Sequence, residues 1–286
     1  MASVRNLSLV ALLLAGVPST AQEVPDRSLL LATTTSVRDS GLLGALLPAF
    51  EAESGIRVRV VAVGSGAALR MGADGNADVL LTHAPAGERE LVASGAVVAR
   101  RPFMENHFLI VGPPEDPAGV AGASGAPEAL RRIAAGSAPW VSRGDDSGTH
   151  RRERQLLAAA GLEQDARWEG FASTGGGMGL TLQVAGERRA YTLTDLGTFL
   201  AFADRVGLVP LSREEESLRN PYSILRLDPA HFPGMAIRSE EGLAFERFLL
   251  SPATRERIAG FGDSRHGRPL FVPLPRRGKE PETPQP

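Results

Sequence analysis

The run SLLLATTTSVRDSGLLGALLPAFEAESGIRVRVVAVGSG, residues 28–66, decides the fold class. Its first six residues, SLLLAT, are apolar enough to be a strand buried on both faces. Residues 40–55 then place Leu42, Leu43, Leu46, Leu47 and Phe50 on one helical face, with Gly55 as the stop and Pro48 as an expected kink or interruption. IRVRVVAV, 56–63, alternates like a strand, GSG turns, AALRMGAD suggests a short helix and DVLLTH, 78–83, is a third strand. Strand, helix, strand, helix, strand implies a parallel sheet covered by helices.

A second set of the same kind follows. HFLIVG (107–112) and PWVS (139–142) read as strands, and PEALRRIAAG (127–136) and RRERQLLAAAG (151–161) as helices. NPYSILRL (220–227) is strand-like, and 239–262 reads as one clean helix. The α/β class rests on this alternation.

At 286 residues, 43% hydrophobic and 22% charged, the chain has globular composition and length for two small domains. The N-terminus combines Arg5, the apolar run LSLVALLLAG and small residues at Ser19 and Ala21, the pattern of a signal peptide, 1–21, that sends the protein to the periplasm. The apolar run is well short of the roughly 20 residues a bilayer span needs. With no cysteine, the chain has no disulfides, no thiol nucleophile and no lipid-bearing cysteine. Its net charge is −2, about −3 once Arg5 leaves with the signal, so no nucleic-acid face is expected. Lys279 is the sole lysine, so scattered arginines carry little functional information. PLPRRGKEPETPQP reads as a disordered tail, taken as 275–286.

Three polar turns each follow a strand and precede a helix: TTTSVRDSG (33–41), GSG (64–66) and RGDDSGT (143–149). In an open parallel sheet, strand C-termini and helix N-termini share one crevice, and hydroxyls and N–H groups there suit a small anion. A Ser or Thr at such a place also serves as an ordinary helix cap. Ser147 lacks a G-x-S-x-G elbow, although His150 lies three residues on. The phosphate loop of nucleotide enzymes is excluded for want of its lysine. The five histidines show no local metal-binding spacing, and His83 reads as a hydrogen-bonded structural residue. TGGGMG (174–179) is either a turn or a fourth loop of N–H donors.

In order along the chain, LLATTTSVRDSGLL, ADVLLTHAPAGERELVASG, RRPFMENHFLIVGPPEDPAG, VSRGDDSGTH, STGGGMGLTLQVA, AYTLTDLGTFLAF and NPYSI resemble the periplasmic tungstate-binding proteins of bacterial ABC transporters, over roughly residues 29–235. The resemblance implies a two-domain clamshell with a parallel-rich sheet in each domain and a hinge of two crossings. It places domain 1 at 24–107 plus 220–274 and domain 2 at 108–219. It implies a monomeric receptor, not an enzyme and without a cofactor, that passes its ion to a permease and its ATPase. By the same resemblance Thr34, Thr35, Ser65, Arg143, Ser147, Gly148 and Thr149 hold the ion, and Asp145 holds Arg143. The related phosphate-binding proteins share the Arg-x-Asp-x-Ser-Gly-Thr loop, so molybdate, phosphate and sulfate stay open beside tungstate, as does an exported ester hydrolase using Ser147. Asp78, if it entered the cleft, would favour a protonated phosphate by accepting its proton.

Overall fold

The first strand, β1 (Ser28–Thr34), is paired with one neighbour along its whole length and with a second at residues 31–33, which are buried as a strand covered on both faces requires. The computed structural model describes residues 27–162 and 168–275. The expected signal peptide and all but the first residue of the expected tail lie outside them.

From β1 the chain continues through α1 (Thr35–Asp39), α2 (Leu42–Ser54), β2 (Arg57–Val63), α3 (Ser65–Ala73), β3 (Val79–Thr82) and α4 (Pro85–Ala93). α2 runs through Pro48 without a break and ends at Gly55 in the left-handed conformation, φ 67°. β2, β1 and β3 are parallel, as the alternation predicts.

The long strand β4 (Val97–Gly112) was legible only in its last third. Arg100, Arg101 and Pro102 carry no strand signal, yet the strand absorbs Pro102 at a register shift against its partner. Next come α5 (Ala126–Ala135), β5 (Trp140–Ser142), α6 (Gly148–Ala159), β6 (Phe171–Ser173), α7 (Met178–Glu187), β7 (Thr192–Asp195), α8 (Leu196–Val206) and β8 (Val209–Pro210). β9 (Arg219–Leu227), α9 (Ser239–Leu249), α10 (Pro252–Ala259), α11 (Asp263–His266) and β10 (Val272–Pro273) complete the chain. The single helix expected over 239–262 is two, because Ser251 caps the Thr254 N–H and Pro252 opens a new first turn.

The architecture is a two-domain α/β clamshell, and β4 runs through both lobes. It pairs antiparallel with β9 as far as His107 with Arg219, then with β7 from Phe108 with Asp195. The first lobe's strand order is β10-β4-β9-β3-β1-β2. Its parallel half is therefore joined by an antiparallel half that the sequence pattern did not reveal, since the chain returns across the hinge in the opposite direction. In the second lobe β5 and β6 are parallel, and β7 and β8 are antiparallel to β4.

Helices cover both faces of each sheet. Phe50, Phe245 and Ile224 anchor one layer of the first lobe, and Leu69, Leu80 and Leu225 the other. Trp140, Ile133 and Leu156 fill one layer of the second, and Leu182, Phe199 and Val141 the other. Each such side chain contributes about 1.5–3 kcal/mol by leaving water. The result is two stiff lobes whose strand ends and helix starts face one crevice.

Candidate functional site

α1, α3 and α6 begin where β1, β2 and β5 end, and their first turns supply the crevice with hydroxyls and backbone N–H groups. Thr33 is spent on the fold, its hydroxyl donating to Leu81 O at 2.8 Å. Thr34 is the cap of α1 and accepts the Val37 N–H at 3.3 Å. Thr35 opens the helix half-buried, and Ser36, which sequence reasoning passed over, lies buried behind it.

Ser36 leads into a hydrogen-bonded chain across the hinge. Its Oγ lies 3.1 Å from His83 Nε2, and His83 Nδ1 lies 2.9 Å from Asn220 Oδ1. Asn220 Nδ2 donates to Asn106 Oδ1 at 2.7 Å and to Tyr222 Oη at 3.0 Å. Asn220 Oδ1 is thereby an acceptor, so the network assigns the His83 proton to Nδ1 and makes Nε2 the acceptor of the Ser36 hydroxyl. Thr34 Oγ1, 3.1 Å from Ser36 Oγ, then donates to Ser36. The ring stacks on Tyr222 at 4.7 Å, and burial holds its pKa below the ordinary histidine value. His83 is thus the hydrogen-bonded structural residue its position suggested, and it also links both hinge strands to the first of the three polar turns.

The second lobe presents Arg143, buried to 4% exposure. Its Nε and Nη2 donate to Asp145 Oδ2 at 3.1 and 2.6 Å, and Nη1 reaches Thr149 Oγ1 at 3.5 Å. Asp145 uses its other oxygen on the Ser147 N–H at 3.1 Å. The loop bends through Gly144 and Asp146, both at positive φ, which lets Ser147 cap α6 by accepting the His150 N–H at 3.3 Å. The TGGGM loop lies alongside, with Thr174 N–H donating to Ser142 O at 3.0 Å and its hydroxyl to Arg143 O at 3.3 Å.

The lobes meet where the Gly148 N–H donates to Ser65 Oγ at 3.0 Å. A Cβ at Gly148 would lie 2.9 Å from His83 Cε1 and 3.0 Å from Ser65 Oγ, so glycine alone fits there. Ser65, Ser147 and Thr149 each accept one bond and keep their hydroxyl proton for another partner. Carboxylates, by contrast, are committed. Asp195 receives the N–H and hydroxyl of Thr198, and Asp146 pairs with Arg151. Asp78 sits at the opposite end of β3, accepting the N–H groups of Leu30 at 2.7 Å and Arg238 at 2.8 Å. It is a structural carboxylate and offers nothing to the crevice. The site is rich in donors and holds one buried guanidinium, and each of these carboxylates is already held by donors of the protein.

The model of the PBP superfamily domain matches residues 19–253. The chain belongs to the PBP superfamily. This PBP-superfamily chain is 41% identical over 248 residues to the tungstate-binding protein TupA of Peptoclostridium acidaminophilum, with 86% of this chain and 85% of the relative covered. The solved tungstate-binding protein TupA of Desulfovibrio alaskensis G20 is 40% identical with a TM-score of 0.76, covering 87% of this chain and 99% of that one. The tungstate ABC transporter structure from Geobacter sulfurreducens is 43% identical with a TM-score of 0.71, over 79% of this chain and 95% of that one.

Glu153, one turn beyond Thr149, escaped the sequence reading. It is buried beneath the loop, accepts the Trp140 indole N–H at 3.0 Å and interacts with Ser142 and the Arg143 backbone. Burial, outweighing those bonds, pushes its carboxyl up to about 7. The only sequence signal was a carboxylate on the apolar face of a helix.

Proposed function

We propose that this protein is a periplasmic solute-binding protein that holds tungstate between its lobes and delivers it, as a monomer, to an ABC permease powered by an ATPase. The supporting observation is the Gly148 N–H to Ser65 Oγ bridge between lobes, set beside the buried Arg143. It brings two helix N-termini to the lobe contact beside the buried Arg143 guanidinium. Thr35, Ser65, Arg143, Ser147 and Thr149 then donate to the oxyanion, Gly148 joins them by turning its N–H from Ser65 to the ion, Thr34 shapes the first turn as its cap, and Asp145 aims the arginine. The lobes comprise 24–107 with 220–274, and 108–219.

Tungstate at neutral pH carries no proton, so a cage of donors satisfies all four oxygens. Hydrogenphosphate brings an O–H, and the crevice carboxylates are already engaged by protein donors and aimed at them; an O–H left unpaired costs about 1–3 kcal/mol. Molybdate, with the same charge and shape, remains the competing ligand on chemistry alone. Ester hydrolysis by Ser147 has no such support, because Ser147 Oγ caps α6 and His150 Nδ1 accepts the Asp146 N–H at 3.0 Å. A thermal-shift panel of tungstate, molybdate, phosphate and sulfate tests the reading, since a ligand specific to the folded state raises stability by RT ln(1 + [L]/Kd). The largest shift is expected with tungstate or molybdate. A larger shift with phosphate would overturn the assignment.

A further inference from the structure

Beside the hinge, away from the crevice residues, lies a cavity of about 870 Å³. Its wall takes Arg89, Arg100, Arg101, Arg247 and Arg255 from the first lobe. Arg152 from α6 and Arg219 at the start of β9 close it from the other side, so half of its fourteen lining residues are arginine against one acid, Glu216. Arginine is the chain's general cation, so its mere presence means little. Convergence on one concavity is different, because gathered like charges repel.

Local carboxylates answer only part of this charge. Arg100 pairs with Glu88 at 2.8 Å, Arg101 lies 3.8 Å from Glu246, and Arg219 is 2.5 Å from Glu105 and 3.1 Å from Glu216. Among the described residues, Arg89, Arg152, Arg247 and Arg255 have no carboxylate within ion-pair distance, and Arg255 instead donates to Leu274 O. Arg152 sits over the Phe108 ring at 5.9 Å and donates to Arg219 O at 3.2 Å, and burial lowers its pKa. A half-buried guanidinium with no anionic partner, facing a cavity of other guanidiniums, is electrostatically incomplete.

We propose that this cavity is a second anion site, distinct from the crevice, that takes a soluble multivalent anion of the polyphosphate class. Several linked anionic groups match several arginines spread around one concave wall, whereas a single tetrahedral ion reaches only a pair of them. The cavity volume is in the range of small-molecule sites. Because Arg89 lies on α4, which follows His83, and Arg152 lies on α6, which presents Gly148, an anion bridging them favours the same approach of the lobes that seats Gly148 on Ser65.

The test is titration calorimetry of sodium tripolyphosphate into the full chain at about 0.1 M salt, where surface attraction is damped. One saturable site is expected. The double variant Arg89→Gln/Arg247→Gln, whose side chains are exposed and outside any ion pair, is expected to weaken it by about tenfold or more with an unchanged melting temperature. Arg143→Ala lies outside the cavity and is expected to leave tripolyphosphate affinity within about twofold, which separates this site from the crevice. The proposal is overturned by absence of saturable binding, by wild-type affinity in the double variant, or by loss of binding in Arg143→Ala. Orthophosphate binding as tightly as tripolyphosphate would equally overturn it.

Discussion

Replacing Arg143 by alanine removes the one buried guanidinium among the described residues and leaves the carboxylate that held it. In the structure Asp145 Oδ2 accepts Nε and Nη2 of Arg143 at 3.1 and 2.6 Å, and Nη1 lies 3.5 Å from Thr149 Oγ1. Two losses follow in the variant. The charge-assisted bonds from Nη groups to the anion are each worth about 1.5–3 kcal/mol. Asp145, then unpaired and mostly buried, presents its negative charge to a dianion; truncating one partner of such a pair costs binding about 2–5 kcal/mol. Tungstate affinity is therefore expected to fall by at least ~2 kcal/mol, or about 30-fold. The double variant Arg143→Ala/Asp145→Ala removes the stranded carboxylate and is expected to regain about 1 kcal/mol of the loss. Calorimetric titration of tungstate into the three proteins measures both steps. Near wild-type affinity in Arg143→Ala would refute the role of the arginine, and a double variant weaker than the single one would refute the holding role of Asp145.

Three further outcomes test other parts of the structure. Gly148→Ala pushes a Cβ against His83 and Ser65, and is expected to weaken tungstate binding by about tenfold or more while the melting temperature barely moves, since the strain falls between lobes and outside their cores; unchanged affinity would show that the lobes do not need to meet there. Glu153 titrates near 7 in the fold against an ordinary value near 4.5, so the folded state holds its proton more firmly and stability falls as pH rises from about 4.5 past 7, by roughly 3 kcal/mol. Denaturant unfolding across that range is expected to show a slope that Glu153→Gln removes, and an identical slope in both proteins would count against it. Asp78→Ala strands the N–H groups of Leu30 and Arg238 and is expected to cost about 2 kcal/mol of stability with anion preference unchanged. A shift of preference away from phosphate in that variant would place Asp78 in recognition after all.

Residues 28–83 announced the parallel half of the first lobe because hydrophobic period is a local property: SLLLAT requires cover on both faces and Gly55 ends a helix wherever that helix packs. The same local logic marked Thr34, Ser65 and Ser147 as helix starts and located the RGDDSGT loop. It failed where pairing overrides composition. Arg100, Arg101 and Pro102 lie within β4 because β9 crosses beside them, and Ser251 splits what the apolar spacing presented as one helix.

By itself, then, the sequence determined the α/β class, the hydroxyl and glycine content of three turns and the arginine of the third, since each depends on neighbours within a few residues. Only the tertiary structure decided that Gly148 meets Ser65, 83 residues away, that Asp78 faces away from the crevice and that His83 is neutral. It alone gathered seven arginines from six elements around one cavity. Distances between remote residues, and the burial that sets their charge, are products of the packing of sheets and helices, and no local pattern encodes them.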